Sequence, residues 1–398
     1  MTVSQNERRS PMRGRYLVQS TIGYAYLSIM DAILAIRRRS TPGRWPIERL
    51  LIGVGGHLGD AIISSAVLPL ISESLPNTEV GVAVPSWGRS AFDGHPSIRW
   101  MHHVDHWKTN RIDRGWGLRL SASLRTHRSA LREIRAVRYD AAIDLYPFYP
   151  NMAGLFSRAG IPIRIGYSSG GGGPAFTTSI PWQVDDEHLS AKQARLLFAL
   201  VEGRRTPTTY SLPPLGVEDL RSAASLLSGS GPEQGTIVLH PGSGSPLKAW
   251  PSDRWSTVAN ELIRQGHRVA VSGFGVAESA VARRLCDDNP ELLDFTGRTS
   301  VGELRAILSR SALVIAADSS VGHLAAAAGT PVVTIMTGMT NSNQWRPLTA
   351  RGVVVTKQVS CAPCFRSEGC REMNCIRDIS AKSVLAAAQP FLHDASVA

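Results

Sequence analysis

Short apolar runs alternate with amphipathic stretches along most of the chain. RLLIGVG (49–55), GTIVLH (235–240) and ALVIA (312–316) are runs of the first kind, and each precedes a stretch with helical spacing of apolar residues. Such runs predict buried strands, the stretches between them predict helices, and their alternation predicts parallel α/β units. The alternation is interrupted by prolines in TPTTYSLPPLG (206–216) and then resumes. The pattern therefore predicts two α/β domains of similar size.

The chain is expected to divide into three segments. A disordered tail, an amphipathic helix and a linker are predicted for residues 1–46. Two Rossmann-like domains are then predicted, one over 47–230 and one over 231–398. The loop GGGGP (170–174) in the first domain is expected to be a mobile edge of the site, since glycine-rich loops commonly are.

A mostly apolar stretch at 16–36 lies between clusters of arginine. Its larger apolar residues fall near one helical face: Val18, Ile22, Tyr26, Ile29, Ile33 and Ile36. Gln19, Gly23 and Asp31 weaken the case for a membrane-spanning helix. The arginines on both sides, at 13, 15 and 37–39, favour a helix over 16–39 that lies on an anionic membrane surface. Packing against the protein itself or a second subunit is the alternative.

Composition narrows the choice of partner. The 398 residues include 43 basic and 32 acidic side chains, a formal charge of +11, and most of the basic residues are Arg. This balance favours anionic partners, and the absence of a nucleic-acid motif favours phosphorylated small molecules or anionic lipid over nucleic acid. Residues 1–15 lack the features of a cleavable signal peptide, which predicts an intracellular protein with reduced thiols.

Two loops of the second domain have the character of phosphate sites. A predicted helix begins in AADSSVGHLAAAAG with Asp318 and Ser319 and contains His323 in its first turn. Free N–H groups at a helix start bind phosphate, although Asp and Ser at such a position also serve as simple caps. The other loop, HPGSGSP, follows a strand and comes directly before Leu247 and Lys248. Its glycines allow close backbone approach to phosphate, and the lysine adds a point charge.

These motifs, in this order, resemble glycosyltransferase family nine, which includes the ADP-heptose:lipopolysaccharide heptosyltransferases. The resemblance covers about residues 49–385 and rests on the following stretches: Leu58-Gly59-Asp60, His240-Pro241-Gly242, Lys248, Trp250-Pro251, Gly273 to Glu278, Thr299, Asp318 to His323, and Cys361-x-Pro-Cys364. It implies a GT-B fold, in which two Rossmann-like domains face a central cleft and the second holds the nucleotide-sugar. The family pattern Asp-Ser-Gly-Pro-x-His is altered here, because Ser320 and Val321 replace Gly and Pro.

The resemblance assigns roles to several of these residues. It makes Asp60 the catalytic base and Lys248 a contact of the donor phosphates. The remaining expected donor contacts are His240, Gly242, Ser243, Glu278, Asp318, Ser319 and His323. Each has an ordinary structural alternative: Asp60 as a helix cap with His57 as a rival base, His240 and His323 as core residues, and Glu278 as an early-turn acid. A lysine and a helix start would stabilise the departing diphosphate, so the transfer is expected to be metal-independent. An acceptor hydroxyl that attacks opposite the leaving group would make it inverting.

Four of the five cysteines lie close together, at Cys361, Cys364, Cys370 and Cys375. Four thiolates form a structural zinc site in many proteins, although this spacing is not that of a common zinc finger. Free or disulfide-linked thiols are the alternative.

The sequence thus predicts an inverting glycosyltransferase, peripheral on the cytoplasmic face of the membrane, with a nucleotide-sugar such as ADP-heptose as donor. A glycolipid or other glycan is the expected acceptor. A GT-B nucleotide-sugar epimerase and a non-catalytic nucleotide-sugar-binding protein are the alternatives.

Overall fold

The computed structural model describes residues 12–36, 46–110, 115–228, 235–366 and 368–394. The chain forms two compact units, an amino-terminal unit (Ser10–Pro214) and a carboxy-terminal unit that begins at Leu215. No helix in these described ranges is long and apolar enough to cross a bilayer.

The amino-terminal unit has one sheet surrounded by helices. Its strands are β1 (Arg49–Gly53), β2 (Glu79–Val84), β3 (Trp100–His103), β4 (Ala141–Asp144), β5 (Ile163–Tyr167) and β6 (Thr178–Ile180). Its helices are α1 (Thr21–Ile36), α2 (Leu58–Ser65), α3 (Leu68–Ser74), α4 (Trp116–Val137), α5 (Ala153–Ala159) and α6 (Leu189–Leu197). The strand order is β3-β2-β1-β4-β5-β6, and all pairs are parallel.

The carboxy-terminal unit repeats this plan. Its strands are β7 (Ile237–His240), β8 (Val269–Val271), β9 (Leu293–Asp294), β10 (Leu313–Ala317), β11 (Val332–Ile335) and β12 (Gly352–Val355). Its helices are α7 (Val217–Leu227), α8 (Ser252–Arg264), α9 (Gly275–Asp288), α10 (Val301–Leu308), α11 (Ser320–Ala327), α12 (Ser342–Trp345), α13 (Asn374–Arg377) and α14 (Ala381–Asp394). The strand order is β12-β11-β10-β7-β8-β9, again parallel throughout.

Both sheets have the strand order of a Rossmann fold, with the first strand of the unit beside the fourth. The chain direction around the sheet reverses between these two strands, β1 and β4 in one unit and β7 and β10 in the other. Ligands of open parallel sheets bind at such a reversal, beyond the carboxyl ends of the strands. Central strands are buried on both faces, which is why they are continuous apolar runs such as Leu313–Ala317.

The division between the units lies after Pro214 rather than at residue 230. The cause is α7, which packs on α10 in the second unit, with the Asp219 carboxylate against the backbone of Gly302. The Arg268 guanidinium also donates to the carbonyl of Leu227, at the end of α7. At the other end of the chain, α1 belongs to the amino-terminal unit rather than to a separate segment.

Three local expectations differ from the structure. The first helix begins at Thr21 rather than Tyr16, whose ring is buried and whose backbone bridges to Arg13. The stretch after RLLIGVG, which was predicted to be helical, forms two short helices, with Pro69 in the first turn of the second. The GGGGP loop is largely buried beneath α1, where Gly171 contacts Leu27, and so it is not an exposed edge.

Candidate functional site

Asp60 lies just beyond β1, at the reversal point of the amino-terminal sheet. Its Oδ2 accepts the backbone N–H of His57 at 2.7 Å, so this carboxylate does cap α2. Gly56 has a φ of +78°, and a side chain there would collide with the Asp60 carboxylate. The Trp87 indole donates to the Gly56 carbonyl at 2.8 Å and holds the loop from the other side. The cap therefore fixes the position of Asp60 at the sheet edge, where a catalytic group would be needed.

Asp144 is a second carboxylate at this reversal point, and the sequence reasoning missed it. It ends β4 and is fully buried, and its oxygens accept the backbone N–H groups of Tyr146 (3.2 Å) and Met152 (2.6 Å). Burial raises the pKa of Asp144 to about 7. Because the Tyr146 ring packs against Gly55, Asp144 shapes the surroundings of Asp60. The sequence feature that could have identified Asp144 is a single carboxylate at the end of an apolar strand, the same feature that singled out Asp318.

In the carboxy-terminal unit, Lys248 and Asp318 form an ion pair. Nζ of Lys248 lies 2.7 Å from Oδ2 of Asp318, and the two side chains are 29% and 13% exposed. Lys248 follows β7 and Asp318 follows β10, which are neighbouring strands on either side of the reversal point. The two loops singled out in the sequence therefore meet at one place. Asp318 therefore pairs with Lys248 and does not cap α11.

Ser319 is the cap of α11. Its Oγ accepts the backbone N–H of Val321 at 3.3 Å, in the manner expected of a helix start. On the neighbouring loop, the Ser243 hydroxyl donates to the carbonyl of Ser245 at 2.7 Å. Both hydroxyls thus hold local backbone in this structure, which is the ordinary alternative for each of them.

His240, Glu278 and His323 also lie at or near this edge. His240 is buried at the end of β7 with Nδ1 3.1 Å from the Ser272 hydroxyl, and burial lowers its pKa to about 4. The Glu278 carboxylate lies against the backbone of Gly242, where a side chain would collide with it, and burial raises its pKa. His323 is buried within α11. The two histidines therefore have the burial of core residues, as their structural alternative predicts.

Three of the four clustered cysteines lie in or against the core of the second unit, and Cys361 is exposed. Cys375 is buried in its core, and the nearby thiols of Cys361, Cys364 and Cys370 add to the rise in its pKa that burial causes. Within the described residues, however, no three His, Cys, Asp or Glu side chains are arranged to hold a metal ion. The donor set expected for zinc is therefore not assembled, and no step of the function needs to pass through it.

A family model describes most of this architecture. The model of glycosyltransferase family 9 (heptosyltransferase) matches residues 127–375, more than half of the chain. The chain belongs to glycosyltransferase family 9. It is therefore a glycosyltransferase, and this assignment counts against the alternative of a non-catalytic nucleotide-sugar-binding protein.

Curated and solved members of family 9 match most of the chain. Lipopolysaccharide heptosyltransferase 3 of Escherichia coli K12 is 23% identical over 303 residues, which cover 73% of this chain and 83% of that protein. The glycosyl transferase family 9 structure from Veillonella parvula superposes with a TM-score of 0.71 at 21% identity, covering 87% of this chain and 97% of the other. The E. coli heptosyltransferase WaaC, solved with ADP, superposes with a TM-score of 0.63 at 17% identity, covering 86% and 99%. The fold is GT-B, as the resemblance implied.

Proposed function

We propose that this enzyme transfers a heptose from ADP-heptose to a lipopolysaccharide-type acceptor with inversion at the anomeric carbon. The names of its relatives support the donor and the acceptor class, and the WaaC structure holds ADP. The observation that carries the proposal is the placement of Lys248, Asp318 and the start of α11 at the reversal point of the second sheet. That is where the diphosphate of a nucleotide is held in this kind of fold.

On the donor side, Lys248 and the backbone N–H groups at the start of α11 would bind the diphosphate. Negative charge grows on the diphosphate as the bond to the sugar breaks, so contacts that strengthen with this charge accelerate transfer. The ion pair with Asp318 holds the Lys248 ammonium at the strand ends before donor binds. No metal ion is required in this scheme, because the lysine and the helix start supply the positive field.

On the acceptor side, Asp60 would be the general base. Its carboxylate is held at the sheet edge by the N–H of His57. The acceptor hydroxyl attacks the anomeric carbon opposite the departing diphosphate and loses its proton to Asp60. The transition state has oxocarbenium character, and a single displacement of this kind inverts the configuration.

Asp60→Asn tests the base, because asparagine still accepts the His57 N–H but cannot take a proton. We expect kcat for acceptor-dependent release of ADP to fall about 10²- to 10⁴-fold, with the affinity for ADP unchanged. Glu303→Gln is the matched control, since Glu303 caps α10 in the same way by accepting the Ser300 N–H at 2.7 Å. Near wild-type kcat in Asp60→Asn would move the assignment to His57, and conversion of the donor to an isomeric ADP-sugar without acceptor would favour an epimerase.

We also propose that α1 lies on an anionic membrane surface on the cytoplasmic side. Its inner face packs on the unit through Leu27 and the buried Asp31, which pairs with Arg15 at 2.8 Å and accepts the Gly172 N–H at 2.6 Å. The opposite face is exposed and apolar, and it comprises Ile22, Tyr26, Ile29, Ile33 and Ile36. A helix that is apolar on both faces needs a second apolar partner, and the arginines around it favour anionic lipid.

Ile29→Ser/Ile33→Ser tests this contact by flotation with vesicles of phosphatidylglycerol and phosphatidylcholine. Both side chains are exposed, so the fold should be kept while vesicle binding falls at least about tenfold. Val217→Ser/Leu220→Ser, an exposed apolar pair on α7, is the control that should bind as the unaltered chain does. Equal binding by all three proteins would exclude α1 as the membrane contact.

A further inference from the structure

The first half of α4 extends beyond the sheet it packs on. The helix has 22 residues and is about 33 Å long, whereas the neighbouring β3 has four residues and spans about 13 Å. Its only fully buried residues are Ala130 and Ile134, in the second half. Thr126 accepts the Asp105 N–H at 3.1 Å and marks where the helix meets the loop after β3. The residues before it, 116–125, form what we term the α4 arm.

The α4 arm lies on the same side of the unit as the candidate base. In a β-α-β unit the helix starts at the carboxyl edge of the sheet, and α4 connects β3 to β4 in this way. Asp60 follows β1 at that edge. The α4 arm therefore projects outward from the edge at which the acceptor would be bound.

The composition of the α4 arm is unusual for a surface that faces only water. Trp116 is 74% exposed and Leu118 is 63% exposed, and Leu124 is exposed as well. The α4 arm has no acidic residue and carries Arg119 and Arg125, and Arg128 and Arg132 follow directly after it on the same helix. Aromatic and aliphatic side chains among arginines are typical of segments that enter the headgroup region of anionic bilayers.

A line of contacts joins the loop after β3 to α1. The hydroxyls of Tyr26, on the exposed face of α1, and Tyr149 are hydrogen-bonded at 2.9 Å. The Lys108 ammonium lies 5.3 Å from the centre of the Tyr149 ring, and the His106 ring packs edge-on against it. Trp107, between these two, is 46% exposed. The exposed face of α1 and residues 106–108, in the loop after β3, are therefore neighbouring parts of one surface.

We propose that the α4 arm is a second membrane-contacting element, which enters an anionic phospholipid surface together with Trp107 and the exposed face of α1. The positive charge of the α4 arm, the lack of acidic residues on it and its continuity with α1 favour lipid over a second copy of this chain. The bilayer then lies against the carboxyl edge of the amino-terminal sheet, the edge at which the acceptor would be bound. That last point rests on the proposed function.

Trp116→Ser/Leu118→Ser tests the apolar contact in flotation with the same phosphatidylglycerol and phosphatidylcholine vesicles. We expect binding to fall about tenfold or more, with the Val217→Ser/Leu220→Ser control unchanged. Brominated phospholipid should quench the tryptophan emission of the unaltered chain, and Trp116→Phe should lose part of that quenching. Full binding by the double variant with unchanged quenching in Trp116→Phe would overturn the proposal.

Arg125→Gln/Arg128→Gln tests the electrostatic part, because both side chains are exposed. Binding at low salt should fall about fivefold per arginine, and its dependence on salt should weaken. Arg283→Gln/Arg284→Gln, with the same loss of charge on α9, should bind as the unaltered chain does.

Analytical ultracentrifugation tests whether the surface binds a second copy of this chain. If the chain self-associates, and Trp116→Ser/Leu118→Ser abolishes self-association but leaves vesicle binding unchanged, the proposal is wrong. Vesicle binding needs neither donor nor acceptor, so its failure would leave the transferase proposal standing.

Discussion

Removal of the Lys248 charge should weaken binding of the donor diphosphate more than any other single change in the carboxy-terminal unit. In Lys248→Met the side chain keeps most of its length and loses its ammonium. A charge-assisted hydrogen bond contributes about 1.5–3 kcal/mol, so the Kd for ADP should rise about 10- to 150-fold. The Kd for adenosine should change little, because adenosine has no phosphate. Isothermal titration calorimetry measures both constants directly.

The ion pair with Asp318 complicates this variant, because the change also leaves a carboxylate without its cation. The two side chains are 29% and 13% exposed, so the pair is neither a surface pair nor a fully buried one. The loss of folding stability should accordingly be about 1–3 kcal/mol, between the values for those two classes. A lower affinity for ADP could then arise from a displaced loop instead of a lost phosphate contact.

Asp318→Asn separates these two causes. In that background Lys248 has no ion-pair partner to position, so a purely structural role would make the further change to Met harmless to ADP binding. If Lys248 contacts phosphate, Lys248→Met must weaken ADP binding at least as much in the Asp318→Asn background as in the unaltered chain. Unchanged ADP affinity in a folded Lys248→Met/Asp318→Asn protein, relative to Asp318→Asn alone, would refute the assignment of Lys248 to the site.

Three further predictions concern other parts of the molecule. Gly56→Ala should lower kcat at least about tenfold, because the new side chain displaces the Asp60 carboxylate. Gly160→Ala is the control: its φ is similarly positive but the space around it is open, so it should lower stability only. Equal kcat in the two variants would contradict this prediction. Burial in the folded state holds the pKa of His240 near 4, below its unfolded value of 6.5. The unfolded chain therefore binds the proton first, and the free energy of unfolding should fall by about 3 kcal/mol as the pH drops from 6.5 to 4. His240→Asn should reduce that loss in urea unfolding at acid pH, and an unchanged pH dependence would exclude His240 as its source. Turnover with EDTA present should equal turnover with added magnesium, and a rate restored only by metal would overturn the metal-independent scheme.

The order of the elements and the identity of the chemistry-bearing loops could be predicted from the sequence. Buried parallel strands need continuous apolar runs, and helices need apolar residues every three to four positions, so 49–55 and 312–316 could be recognised as strands from local pattern alone. The capping box of Ser300 and Glu303 was readable for the same reason, because both partners lie within one turn. The family motifs were also contained in the sequence, since each is a short run of fixed spacing.

What the tertiary structure decided is which distant residues meet. Lys248 and Asp318 are 70 positions apart, and they pair only because β7 and β10 are neighbours in the sheet, which no local pattern specifies. The same holds for Asp31: its charge counts against a membrane-spanning helix in the sequence, but only the fold places its carboxylate against Gly172 and Arg15, away from the exposed apolar face of α1. The glycine loop 170–174 is buried for a related reason, because α1 covers it. Periodicity predicts which face of a helix or strand is apolar. The element that packs on that face is decided by contacts between segments far apart in the chain.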